Sequence, residues 1–283
     1  MKKSLLMLLA VALVGAGVTP TDVEAATKKK VVAAKKKAPR IAKQINARKL
    51  AQRGASLDDA QHLALQSSAV LVLDQTTGAI LFEKNPNAVL PIASITKLMT
   101  AMVVLDAKPD LKEALVIGQD DVDMVKGTRS RLKVGTQLER EEMLRLALMS
   151  SENRAASALS RHYPGGREAF VAAMNQKART LGLADTRFQD ATGLTAANVS
   201  SPRDLARMVD AAHQYPLIRE FSTTSEGAFS IAGRTQQFRN TNGLVRNPEW
   251  DIGLQKTGYI SAAGRCLVMQ TQLAGRKLIM VLL

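Results

Sequence analysis

Aromatic side chains make up only 4% of this 283-residue chain, and there is one cysteine, Cys266. With so few rings, Leu, Val, Ala and Met must fill the core. One cysteine excludes an internal disulfide and any site built on several thiolates. Cys266 sits in the apolar run Cys266-Leu267-Val268-Met269 and reads as a small buried hydrophobe in a strand. Histidine is scarce too. His62, His162 and His213 lie far apart, which argues against a metal hydrolase and against a Ser-His-Asp triad. Past residue 25 no apolar run is long enough to span a membrane, which takes about 20 residues.

Positive charge is abundant, but it is local. The net charge is +14, and residues 26–53 carry eleven Lys and Arg and no acid, which leaves +3 for residues 54–283. Basicity is thus a property of a tail. A nucleic-acid partner is not expected, since the rest of the chain shows no aromatic-rich basic surface. The tail alternates clusters such as Lys28-Lys29-Lys30 and Lys35-Lys36-Lys37 with Ala and Val, and Pro39 interrupts any early helix. Residues 26–65 therefore read as a basic flexible tail and linker, with weak electrostatic attraction to anionic envelope polymers as its functional reading. Before it, Lys2-Lys3, the apolar stretch from Leu5 to Val18 and Val23-Glu24-Ala25 match a cleaved signal peptide over residues 1–25. An exported protein is expected.

The folded part is expected over 66–283. Ser68 to Asp74 and Ala79 to Lys84 are apolar runs around the turn Gln75-Thr76-Thr77-Gly78, a hairpin pattern ended by Asn85-Pro86-Asn87. Helical spacing follows over 94–107, 139–149, 153–162 and 167–181, and Ser201-Pro202 opens another helix to about His213. From Phe221 the helical period fades. Leu267 to Leu283, turning at Ala274-Gly275-Arg276, reads as a second hairpin. Strands, then helices, then strands predict an α+β fold. One antiparallel sheet drawn from both chain ends would be flanked by helices, with a helical subdomain inserted over roughly 108–220.

Three short motifs occur once the chain is searched for nucleophiles: Ser94-Ile95-Thr96-Lys97, Ser151-Glu152-Asn153 and Lys256-Thr257-Gly258. Ser-x-x-Lys or Ser-x-Asn arises by chance about once in a chain this long, so order and setting carry the signal. Ser94 and Lys97 lie one helical turn apart on one face. A serine hydroxyl needs a base, and a lysine serves only when neutral. Burial and a second nearby cation both lower its pKa, and Lys256 is a candidate for that cation. A helix N-terminus at Ser94 also offers N–H groups to an oxyanion.

These motifs, in this order, resemble those of penicillin-binding proteins and serine β-lactamases. Ile92 to Thr100, Leu146 to Asn153 and Asp190-Ala191-Thr192-Gly193-Leu194 are similar to low-molecular-mass D-alanyl-D-alanine carboxypeptidases, in particular the penicillin-binding protein seven type endopeptidases. The resemblance covers roughly 66–283 and implies a serine β-lactamase/D,D-peptidase-like fold without a cofactor or metal. It implies that Ser94 is the nucleophile and Lys97 the general base, with Ser151 and Lys256 passing the proton to the leaving amine. Asn153 would bind the substrate amide or hold Lys97. Thr257 would bind the carboxylate next to the scissile bond, and the N–H groups of Ser94 and Tyr259, the latter just past Gly258, would form the oxyanion hole. Peptidoglycan peptide stems are the implied substrate, β-lactams the covalent inhibitors and the periplasm the location. Likeness favours cleavage of D-alanyl-diaminopimelate cross-links, with trimming of pentapeptide stems as the alternative. A β-lactamase would add a glutamate in a Glu-x-x-Leu-Asn setting, and Glu168, Glu220, Glu226 and Glu249 are all flanked differently. A non-catalytic polymer-binding role is disfavoured by the three intact motifs. Glu152 departs from the aspartate or glycine of many relatives. The family also continues past a strand like the last one here into a helix, so a truncated sequence is expected.

Overall fold

Strand formation starts where the first apolar run starts. The structure, a computed structural model, describes residues 65–124 and 126–283. The segments read as signal peptide and basic tail lie outside the described residues, apart from residue 65. Strand β1 (Val70–Asp74) pairs antiparallel with β2 (Ile80–Lys84). The turn between them is held by the Asp74 carboxylate, which accepts from the N–H groups of Thr76 and Thr77, both at 3.0 Å.

After the short strand β3 (Leu90–Pro91) comes a tight 3-10 turn, Ala93–Ile95, and then helix α1 (Thr96–Asp106). Nine of its eleven residues are buried, Thr96 through Val104, so α1 is a central helix and not an amphipathic surface one. Around it stand α2 (Arg140–Met149), α3 (Asn153–Arg161), α4 (Gly166–Thr180), α5 (Pro202–His213) and α6 (Pro216–Thr223). The small pairs β4 (Ala114–Val116) with β5 (Gln137–Glu139), and β3 with β6 (Val199–Ser200), tie the loops between them. At α5 the sequence signature acts as expected. Ser201 Oγ accepts from the Asp204 N–H at 3.3 Å, and Pro202 occupies the first turn, where its missing N–H costs nothing.

The hairpin β7 (Glu226–Ile231) with β8 (Arg234–Arg239) leads to β9 (Asp251–Ile260), β10 (Gly264–Leu273) and β11 (Arg276–Leu282). The main sheet has five strands in the order β2-β1-β11-β10-β9, all neighbours antiparallel. Val70 pairs with Leu282, so both ends of the described chain meet at its centre. The sheet and the helices between its two halves agree with the α+β fold expected. Helix α6, the β7–β8 pair and the ten-residue strand β9 had no forecast of their own.

Candidate active site

Ser94 lies in the 3-10 turn ahead of α1, not in the α-helix itself as the periodicity suggested. The reason is Ala93, whose φ of +46° is left-handed and turns the chain just before the hydroxyl. Such a backbone costs a non-glycine residue about 1–3 kcal/mol and survives only where its surroundings hold it. Here Thr96 Oγ1 donates to the Ala93 carbonyl at 2.8 Å. Two glycines press on the same spot. A Cβ on Gly193, whose φ is +81°, would lie 1.9 Å from the Ala93 carbonyl oxygen. One on Gly258 would lie 3.0 Å from the Ile92 oxygen and 3.1 Å from the Ser94 nitrogen. Gly258 thus lets the backbone of β9 run alongside the Ser94 N–H.

One turn on, Lys97 is fully buried. Its Nζ donates to Ser94 Oγ at 2.9 Å, to Asn153 Oδ1 at 2.8 Å and to the Thr192 carbonyl at 2.7 Å. Each acceptor is held from behind. Asn153 donates through Nδ2 to Thr128 Oγ1 at 3.1 Å, and Thr128 Oγ1 donates to Asp123 at 2.7 Å. Asp190 Oδ1 accepts from the N–H groups of Thr192 and Gly193 and from the Thr192 hydroxyl, which shapes the loop that presents the Thr192 carbonyl. Burial pulls the Lys97 pKa down to about 7, against the charges of Asp190 and Glu152, which raise it. Burial, the first of the two causes expected, dominates for Lys97, and the coupling between the two lysine charges is felt at Lys256.

Across the cleft, the α2–α3 connection places Ser151 at a left-handed φ of +61°, the second strained non-glycine residue of the site. Lys256, fully buried on β9, donates to Ser151 Oγ at 3.0 Å and to the Thr257 carbonyl at 2.9 Å. Its pKa is driven well below the usual lysine value by burial first and by the Lys97 charge second. Thr257 Oγ1 shares a 2.6 Å hydrogen bond with Thr241 Oγ1, and Tyr259 is 67% exposed. Glu152 is buried and accepts from Ser130 Oγ at 2.7 Å. Among the described residues no cluster of His, Cys, Asp or Glu could hold a metal ion.

Of the residues singled out from the three motifs, Ser94, Lys97 and Asn153 meet through hydrogen bonds, Ser151 meets Lys256, and Gly258 abuts Ser94, while Thr257 and the exposed Tyr259 flank Gly258 on β9. Sequence reasoning missed Thr128, Asp190, Thr192, Gly193 and Thr241. The block from Asp190 to Leu194 stood out only as a likeness, and the other two had no signal. Chemically, the cleft pairs two hydroxyls with two buried amines at about hydrogen-bond distance. One pair suits deprotonation of a nucleophile, and the other suits a proton relay on the opposite wall.

Comparison with known proteins places the chain in a family. Residues 56–283 match the family model described as D-alanyl-D-alanine carboxypeptidase. A D-alanyl-D-alanine endopeptidase of Pseudomonas aeruginosa is 54% identical over 209 residues, covering 73% of this chain and 67% of that one. Its Escherichia coli counterpart is 46% identical over 231 residues, covering 81% and 74%. A D-alanyl-D-alanine carboxypeptidase of Bacillus subtilis is 31% identical over 225 residues, covering 77% and 57%. Among solved structures, a Streptomyces DD-transpeptidase superposes with a TM-score of 0.70 at 27% identity, over 76% of this chain and 88% of that one. A Mycobacterium tuberculosis D-alanyl-D-alanine carboxypeptidase gives 0.69 at 28% identity, over 76% and 81%. A family match across four-fifths of the chain, with a fold match across 76% of it, makes this protein a serine hydrolase of the D-alanyl-D-alanine carboxypeptidase family.

Proposed function

We propose that this chain is a D,D-endopeptidase that cuts the amide between D-alanine and diaminopimelate in peptidoglycan cross-links. The observation that carries the chemistry is the 2.9 Å contact between Ser94 Oγ and a buried lysine whose pKa is brought to about 7. The branch within the family rests on the relatives at 54% and 46% identity, both endopeptidases, against 31% for the Bacillus carboxypeptidase.

Neutral Lys97 takes the proton of Ser94, and Oγ attacks the D-alanine carbonyl. The oxyanion is held by the N–H groups of Ser94 and Tyr259. The C–N bond then breaks, and the proton reaches the leaving amine by way of Ser151, backed by Lys256. Water later releases the acyl group from Ser94, with Lys97 again as base. Thr257, steadied by Thr241, receives the carboxylate beside the scissile bond. Asn153 holds Lys97, a role its 2.8 Å contact supports. A β-lactam acylates Ser94 because its strained amide imitates the same bond. In this reading residues 1–25 direct export to the periplasm and are removed, residues 26–65 form a basic tail drawn weakly to anionic envelope polymers, and 66–283 form the catalytic domain.

The test offers the purified chain without residues 1–25 a cross-linked muropeptide dimer and a pentapeptide monomer together, with products followed by mass. Splitting of the dimer is expected. Release of D-alanine from the monomer with the dimer left whole would make the protein a carboxypeptidase and sink the endopeptidase assignment.

A further inference from the structure

The register of β9 against β10 puts an arginine on the same face as Thr257. Thr257 pairs with Leu267, Gly258 with Cys266 and Tyr259 with Arg265. Side chains alternate along a strand, and paired residues on neighbouring strands share a face. Lys256, Gly258 and Cys266 therefore face the Ser94 side, where Gly258 abuts the Ser94 nitrogen. Thr257, Tyr259 and Arg265 share the opposite face. Tyr259 and Arg265 stand directly opposite, with Cβ atoms about 5 Å apart, and Thr257 lies diagonally at about 7–8 Å, within reach of a long side chain.

Both Tyr259 and Arg265 are exposed. Two other arginines, Arg131 and Arg239, are engaged. Arg131 donates to the Gln237 carbonyl and lies over the Phe238 ring, and Arg239 pairs with Glu226. Arg265 has no ion pair or side-chain hydrogen bond among the described residues. A free guanidinium offers a rigid fork of donors matched to a carboxylate.

The two candidate leaving groups differ in the matching way. D-Alanine departs with a single carboxylate, the one beside the scissile bond, which falls to Thr257. A departing peptide stem keeps that carboxylate on its diaminopimelate and carries further ones along its length. We propose that Arg265, with the Tyr259 ring beside it, binds a second carboxylate of the departing stem and so sets the preference for cross-links over terminal D-alanine. This inference deepens the endopeptidase reading and rests on it.

The experiment compares wild type, R265Q and R265K, all without residues 1–25, by kcat/KM on the muropeptide dimer and on the pentapeptide, and by the rate of penicillin acylation. Loss of one charge-assisted hydrogen bond predicts that R265Q splits the dimer about tenfold more slowly. Its pentapeptide trimming and penicillin acylation should stay within about twofold, with R265K in between. Thermal melting checks that the exposed substitution leaves the fold intact. A wild type that splits the dimer while R265Q does so equally well overturns this inference alone. An equal loss on all three substrates also overturns it, because Arg265 would then support the oxyanion hole or the strand. A wild type that leaves the dimer whole overturns the endopeptidase reading and this inference with it.

Discussion

Each wall of the cleft buries a lysine against a serine hydroxyl, yet the two walls are built differently. Lys97 stands in a helix covered on every side, with three acceptors and two carboxylates acting on it. Lys256 stands on the edge strand β9 with two acceptors, and the charge acting on it is that of Lys97. Burial lowers both pKa values. Asp190 and Glu152 stop the fall of Lys97 at about 7, whereas nothing comparable supports Lys256. A group that titrates near neutral pH can both take a proton and give it up. The difference fits the proposed general base on the helix wall, with relay and positioning on the strand wall.

Removing the base should break the comparison most severely. Lys97→Ala is expected to slow penicillin acylation about a thousandfold, the scale of a general base, with the fold retained by circular dichroism. A near-normal rate would remove Lys97 from that role. The strand wall should matter less to a β-lactam, whose ring opens without a free amine having to leave. Ser151→Ala should cost about a hundredfold or less in the same assay, and a larger loss than for Lys97→Ala would invert the assignment of the walls.

The smallest effect is a shift and not a loss. Acylation needs neutral Lys97, so the rate should rise with pH through about 7 and level off above it. The Glu152 charge raises the Lys97 pKa. Glu152→Gln should therefore move the rising limb to lower pH and leave the plateau within about twofold. A limb that stays put, or moves up, would show that Glu152 does not act on Lys97 through charge.

Most of this cleft could be read from sequence because its reacting groups are side chains held in short, rigid motifs. What could not be read is the support of Lys97 beyond Asn153. The Thr192 carbonyl is a backbone group that any residue carries, and it reaches Lys97 across a long loop. Thr128 and Thr241 act through hydroxyls in segments with no period of their own. The fold divides in the same way. Strands β1, β10 and β11 are buried and read as apolar runs, with β2 marked by the turn before it. Strand β9 does not, because Gly253, Gln255, Lys256 and Gly258 serve the site or close packing and break its alternation. Helix α6 has eight residues, too few for a helical period to stand out against Pro216 and the Ser-Thr run that follows.

The pairing of Val70 with Leu282 has a consequence in time. Strand β11 joins β1 and β2 to β10 and β9, and it follows the other four strands of the sheet in the sequence. Without it, the β9–β10 pair is not joined to β1 and β2. A partial chain carries the nucleophile without its opposite wall. Contacts this far apart in sequence also form late, since the loop they close is nearly the whole domain. Completion of the cleft is thus tied to the pairing of strands that lie far apart in the sequence.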